Sequence, residues 1–258
     1  MIKGIIFDFG GTLYKDNKQT TDAHFQEIGE ILINFLKRHG INIDMKAKNF
    51  YAEIIQKIQY SKIYYKKHDD IEFSPYKLLK HIVLKDFIKT KQLPTLKIIA
   101  NNFVNIIMNY ESAIRDGNFR SNAAEVLKYL NGKYKIGLIS NSCSHDFVLI
   151  KLLKENIYQY FDENCILISS QVGIRKPNKL IFTEAAKELD LLPEECIYVG
   201  DTTHEDVEGA RKAGFAGSIR VTNDIPYENI DAFPNDTNYL INDLNDIESK
   251  IYLIEKLK

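Results

Sequence analysis

Four short apolar runs and one further strand-like stretch in the second half of the chain, separated by amphipathic stretches, do most to limit how it can fold. They are Ile136-Gly137-Leu138-Ile139, Cys165-Ile166-Leu167-Ile168, Cys196-Ile197-Tyr198-Val199, residues 218–221 and Tyr239-Leu240-Ile241. Runs this short and this apolar read as strands buried on both faces. Helical patterns lie between them. Residues 121–130 gather Ala123, Ala124, Val126, Leu127 and Leu130 on one side, and a helix is expected near 147–153. A further helix carries Ile181, Phe182, Ala185, Ala186 and Leu189, and another spans 206–213 with Gly214 as its stop. Strand and helix in alternation specify an α/β fold: a Rossmann-like, mostly parallel sheet with helices on both faces. Ile5-Ile6-Phe7 adds one strand at the N-terminus.

Between that first strand and the rest, the pattern is helical throughout. Phe25, Ile28, Leu32 and Phe35 recur at three- and four-residue spacing after Thr21, and Lys37-Arg38-His39-Gly40 supplies the cations and glycine of a helix end. Asp44 is expected to open a second helix with Phe50, Tyr51, Ile54, Ile55 and Ile58 on one side. Ser74-Pro75 would start a third, with Leu78, Leu79, Ile82 and Val83, and Pro94 a fourth, with Leu96, Ile99, Phe103, Ile106, Ile107 and Tyr110. The organisation expected is an α/β core of residues 1–15 and 112–258 with an inserted all-helical domain of residues 16–111.

With 34 basic and 35 acidic side chains the formal charge is −1, which gives no general attraction to nucleic acid or to an anionic membrane. No run approaches the roughly 18 apolar residues of a membrane span. The chain enters its first strand without a signal-peptide layout, and its three cysteines share no CxxC spacing. Reduced thiols and a cytoplasmic location are the expectation.

The chemistry-bearing residues collect where strands end, the rim at which open α/β sheets bind ligands. Asp8 follows the first strand and is succeeded by Phe9-Gly10-Gly11-Thr12; Ser140-Asn141 follows another, Lys176 sits in a later loop, and Asp201 precedes Asp206 by five residues. Carboxylates, a hydroxyl and a lysine on one rim suit phosphoryl transfer through an aspartyl intermediate. Mg²⁺ held by oxygen ligands would relieve the repulsion between a carboxylate nucleophile and a phosphate, with Asp201 as second ligand and Asp206 behind it. Lys176 would neutralise nucleophile and phosphate, Ser140 would donate to a phosphate oxygen, and backbone N–H groups of the Gly10–Thr12 turn could cradle the remainder. Taken singly, each has a plainer reading: Ser-Asn after a strand is a common turn, and Asp201 and Asp206 could cap the next helix.

Together the four stretches resemble the haloacid dehalogenase-like hydrolase superfamily. Asp8-Phe9-Gly10-Gly11-Thr12-Leu13 is similar to its first motif, Ile139-Ser140-Asn141 to the second, Arg175-Lys176-Pro177 to the third, and Gly200-Asp201-Thr202-Thr203-His204-Glu205-Asp206 to the fourth. The helical insertion matches the family's cap. The resemblance implies Asp8 as nucleophile, with Lys176 beside it as the second catalytic residue. It implies Mg²⁺ on Asp8, the Gly10 carbonyl, Asp201 and Asp206. The substrate would be a small phosphorylated metabolite held by Gly11, Thr12, Ser140, Asn141 and Lys176.

The resemblance breaks at Gly10, where the family's phosphatases carry a second aspartate that protonates the leaving group and then activates water. General acid–base help is worth about 10²–10⁴ in rate. Tyr14 and His204 are the nearest substitutes. A catalytically impaired relative that binds a phosphate ligand or a protein is the alternative, and a metal-independent dehalogenase is a third reading, disfavoured because Asp201 and Asp206 would then have no task.

Overall fold

The computed structural model describes residues 1–17, 21–66, 72, 79, 93–222 and 238–256. Six parallel strands form the central sheet: β1 (Gly4–Phe7), β4 (Lys135–Ser140), β5 (Ile166–Ile168), β6 (Cys196–Gly200), β7 (Gly217–Val221) and β8 (Asn238–Ile241), in the order β5-β4-β1-β6-β7-β8. β1 lies between β4 and β6, pairing Phe7 with Leu138 on one side and Val199 on the other. That central position brings the ends of β1, β4 and β6 together, and with them Asp8, Ser140 and Asp201. Ile5, Phe7, Leu138 and Val199 are fully buried in the core on one face, Ile6, Ile139 and Tyr198 in that on the other. Both cores explain why these runs carry no polar alternation.

The connecting helices α4 (Ala123–Asn131), α5 (His145–Lys154), α7 (Lys179–Glu188), α8 (Glu208–Ala213) and α9 (Ile247–Lys256) follow the expected pattern, and a short α6 (Ser169–Val172) that the pattern did not announce follows β5. Ser144 caps α5 by accepting from the Phe147 N–H at 3.0 Å. Gly214, at φ 83°, stops α8.

The helices α1 (Asp22–Arg38), α2 (Ala47–Lys66) and α3 (Leu93–Ile114) enclose a separate core of Ile28, Leu32, Tyr51, Ile54, Phe103 and their neighbours. Thr21 is the N-cap of α1, as expected. The second helix begins at Ala47 rather than at Asp44. A β-carbon on Gly29 would lie 2.1 Å from the Ala47 carbonyl oxygen, so glycine is what lets α1 approach the first turn of α2. The expected third helix lies outside the described residues except for Leu79, which is buried. The expected boundary at 111/112 falls inside α3, which continues to Ile114. Both chain crossings between helices and sheet pass through a small antiparallel ribbon, β2 (Tyr14–Lys15) with β3 (Asn118–Phe119). Among the described residues no helix is long and apolar enough to cross a membrane.

Candidate active site

Asp8, Asp201 and Asp206 each present a carboxylate oxygen within 4.8 Å of the others, and Lys176 stands among them. The lysine is buried, and its three N–H donors go to Asp8 Oδ1 at 2.7 Å, Asp206 Oδ1 at 2.6 Å and the Tyr198 hydroxyl at 2.8 Å, the full capacity of an ammonium. Burial alone would lower Lys176, but the charges of Asp206 and Asp8 outweigh it and hold its pKa well above the usual range. Asp8 is pushed up to about 7 by burial, against the pull of Lys176 and reinforced by Asp206 and Asp201. Burial and then Asp206 push Asp201 up to about 6. Three carboxylates against one ammonium leave two negative charges, the complement of one divalent cation.

The three carboxylates are not equivalent. Asp206 accepts from Lys176, from the backbone N–H groups of Asp201 (3.1 Å) and Thr202 (2.8 Å), and from the Thr202 hydroxyl (2.7 Å). Three of these bonds fall on Oδ2, and Oδ1 accepts from Lys176. The five-residue spacing from Asp201 is absorbed by a single turn of π-helix, Thr203–Val207, which folds Asp206 back onto these donors. Among the described residues Asp8 accepts from Lys176 and, at 3.2 Å, from the Thr12 hydroxyl. Asp201 lies against the Gly10-Gly11 turn, where Gly11 adopts φ 85° and bonds its N–H to the Tyr14 carbonyl at 2.7 Å.

Several residues expected to touch substrate have other partners. The Thr12 hydroxyl is on Asp8, and the Gly11 N–H is closed within the turn, so neither is presented as a phosphate donor. Asn141 holds the Lys176 backbone at both ends: its Nδ2 donates to the Lys176 carbonyl at 3.0 Å, and its Oδ1 accepts the Lys176 N–H at 2.9 Å. Its Nδ2 also reaches Glu205 Oε2 at 3.0 Å. These jobs depend on a loop arriving from elsewhere in the chain and are invisible to local pattern. Ser140 ends β4 buried beside the cavity, and Gly10 lies on the cavity wall.

Of the two substitute acids, His204 is exposed, bonds Glu208 at 3.1 Å and is not among the residues lining the cavity. Tyr14 does line it, but burial raises its pKa and its hydroxyl is paired with Ser112, its ring stacked on Phe9. Sequence reasoning missed Tyr198, Glu205 and Arg120. Arg120 bonds the Thr12 and Gly11 carbonyls at 2.7 and 3.0 Å and so braces the turn. A tyrosine in the otherwise aliphatic Cys196–Val199 run was the one available hint of a polar partner.

Over the carboxylates opens a cavity of about 520 Å³, walled on one side by strand ends and on the other by α2 and α3. An acidic pocket of hard oxygen ligands at the C-terminal edge of a parallel sheet marks an α/β protein of the kind that binds its ligand at the strand ends. A family model described as haloacid dehalogenase-like hydrolase matches residues 2–214, so the chain belongs to that family and is a hydrolase. It is 27% identical over 227 residues, 86% of its length and 84% of the relative's, to a glyceraldehyde 3-phosphate phosphatase of Methanopyrus kandleri. To the enzyme of the same name from Methanocaldococcus jannaschii it is 25% identical over 260 residues, covering 100% of this chain and 99% of that one. Its fold is shared by the crystal structure of a 2-haloacid dehalogenase from Pseudomonas syringae, with a TM-score of 0.64 at 19% identity over 98% of this chain and 99% of that one.

Proposed function

We propose that this hydrolase is a Mg²⁺-dependent phosphatase acting on a small phosphorylated metabolite through an aspartyl-phosphate on Asp8, with the inserted helices as a cap over the site. The observation that carries the reading is the convergence of three carboxylates at the strand ends, two of them paired with one buried lysine. The phosphatase names of the full-length relatives support it.

Asp8, Asp201 and the Gly10 carbonyl would hold the ion, whose contribution is to neutralise the nucleophile and polarise the phosphate. Asp206 stands behind them and fixes Lys176 and the Asp201–Thr202 backbone. The Asp8 carboxylate attacks phosphorus and the ester oxygen departs; Lys176 and Thr12 hold Asp8 in place for that attack. Ser140 is positioned to bind a phosphate oxygen. Nothing at position 10 can protonate the leaving group, so substrates whose leaving group departs as a stabilised anion are favoured.

Metal-stripped protein resupplied with Mg²⁺ should hydrolyse p-nitrophenyl phosphate, and Asp8→Asn should abolish this. No turnover beside an active relative would favour a second reading, a binder without catalysis. Gly10 and the placements of Tyr14 and His204 support that alternative. The acidic cluster speaks against a metal-independent dehalogenase, in which Asp201 would have no task.

A further inference from the structure

Beyond the reacting centre, the cavity has a wall that phosphate chemistry does not use. It is made by Ile55 and Ile58 of α2 and by Val104, Ile107 and Met108 of α3. Ile54 and Phe103, on the same helices, are fully buried in the helical core, whereas Ile55, Ile58 and Met108 keep part of their surface uncovered. Val104 and Ile107 belong to that same buried core and Ile55, Ile58 and Met108 pack against it, so the surface these last three leave uncovered is what the helices present to the cavity.

The charge around the cavity is lopsided. At the centre, Asp8, Asp201 and Asp206 face Lys176. Further out, Asp16, Glu72, Glu111 and Glu205 line it with only Arg115 and Arg175. Both arginines are already paired. Arg115 is 3.2 Å from Asp16 and 3.5 Å from Glu111, while Arg175 is 3.4 Å from Glu205 and 3.9 Å from Glu72. Among the described residues the lining thus carries seven carboxylates and three cations, an excess of negative charge that one divalent ion does not remove. Among the described residues no further cation lines the cavity, so a leaving group bearing a carboxylate or a second phosphate would enter against this charge and against hydrocarbon.

We infer that the group esterified to the phosphate is uncharged and largely apolar: a small aromatic alcohol. This rests on the phosphatase reading and deepens it. A volume of about 520 Å³ is in the range of small-molecule sites, with room for phosphate and such a group. An aryl oxygen is also the leaving group that best tolerates the missing acid at Gly10.

The test uses phosphonates, whose carbon–phosphorus bond survives in the site, titrated calorimetrically into the Mg²⁺-loaded full chain. Butylphosphonate should bind at least tenfold more tightly than 3-phosphonopropionate, and Ile58→Lys should narrow or invert that ratio. Equal affinities, a reversed order in the wild type, or a ratio that Ile58→Lys leaves unchanged would overturn the inference. Expected binding order without turnover of phenyl phosphate would overturn the phosphatase reading and uphold the shape and charge of the pocket. Binding of neither probe would overturn both.

Discussion

Gly11 and Asp201 fit so closely that a β-carbon on the glycine would lie 2.1 Å from Asp201 Oδ2. The turn after β1 and the carboxylate after β6 are therefore shaped to each other, and φ 85° at Gly11 adds a backbone reason for glycine. Gly10, one residue earlier, would meet nothing within 4 Å. Gly11→Ala should destabilise the protein by about 1–3 kcal/mol in urea denaturation and weaken Mg²⁺ binding. Gly10→Ala should stay within about 0.5 kcal/mol of wild type. Equal effects at the two positions would contradict this packing.

The open space at Gly10 makes the missing acid restorable. Gly10→Asp should raise turnover of alkyl phosphates by up to about 10²–10⁴, the usual worth of general acid–base catalysis, and that of aryl phosphates much less. The comparison is kcat/KM for propyl and p-nitrophenyl phosphate in both proteins; equal gains would show that the leaving group's proton is not what limits the wild type.

Protons and cation compete for the same oxygens. Asp8 at about 7 and Asp201 at about 6 both lie above the value of about 3.9 for an aspartate in an unfolded chain. Between about pH 4 and 7 the folded chain thus holds protons at these two groups that the unfolded chain has lost, and their contribution to stability falls as pH rises through that window. A cation reverses the slope by displacing those protons. Mg²⁺ affinity, read by calorimetry, should fall at least tenfold from pH 8 to pH 5, and the Mg²⁺-induced rise in Tm should be larger at pH 8. A pH-independent affinity would contradict the assignment of these carboxylates as ligands.

Lys176 is a buried cation whose removal strands two acids. Lys176→Met should cost about 3–5 kcal/mol at pH 8, the usual penalty for breaking a buried pair. The cost should shrink at pH 5, where Asp8 takes up a proton. Urea titrations at the two pH values check this, and a loss under about 1 kcal/mol at pH 8 would show the pair to be more solvated than its burial implies.

The sheet was legible because burial on both faces leaves an unmistakable apolar run, and the strand-end positions of Asp8, Ser140 and Asp201 follow from it. What stayed hidden was long-range. Tyr198 reads as core until a lysine from a loop 22 residues earlier is found 2.8 Å away. Asn141 reads as a substrate contact because nothing local says that the Lys176 backbone will occupy its amide. Asp44 offers a cap in sequence, yet α2 begins three residues later, where Ala47 lies against Gly29 of α1, a contact between segments that local pattern does not show. Local chemistry thus located the rim, and packing between distant segments assigned the partners on it.

The central claim is that Asp8 and Asp201 share one divalent cation. A crystal structure grown with Mg²⁺ tests it most directly: one octahedral ion should lie about 2.0–2.1 Å from an oxygen of each carboxylate, with Asp206 still bonded to Lys176. An ion held by only one of the two, or the carboxylates diverging in Mg²⁺-saturated crystals, would contradict it.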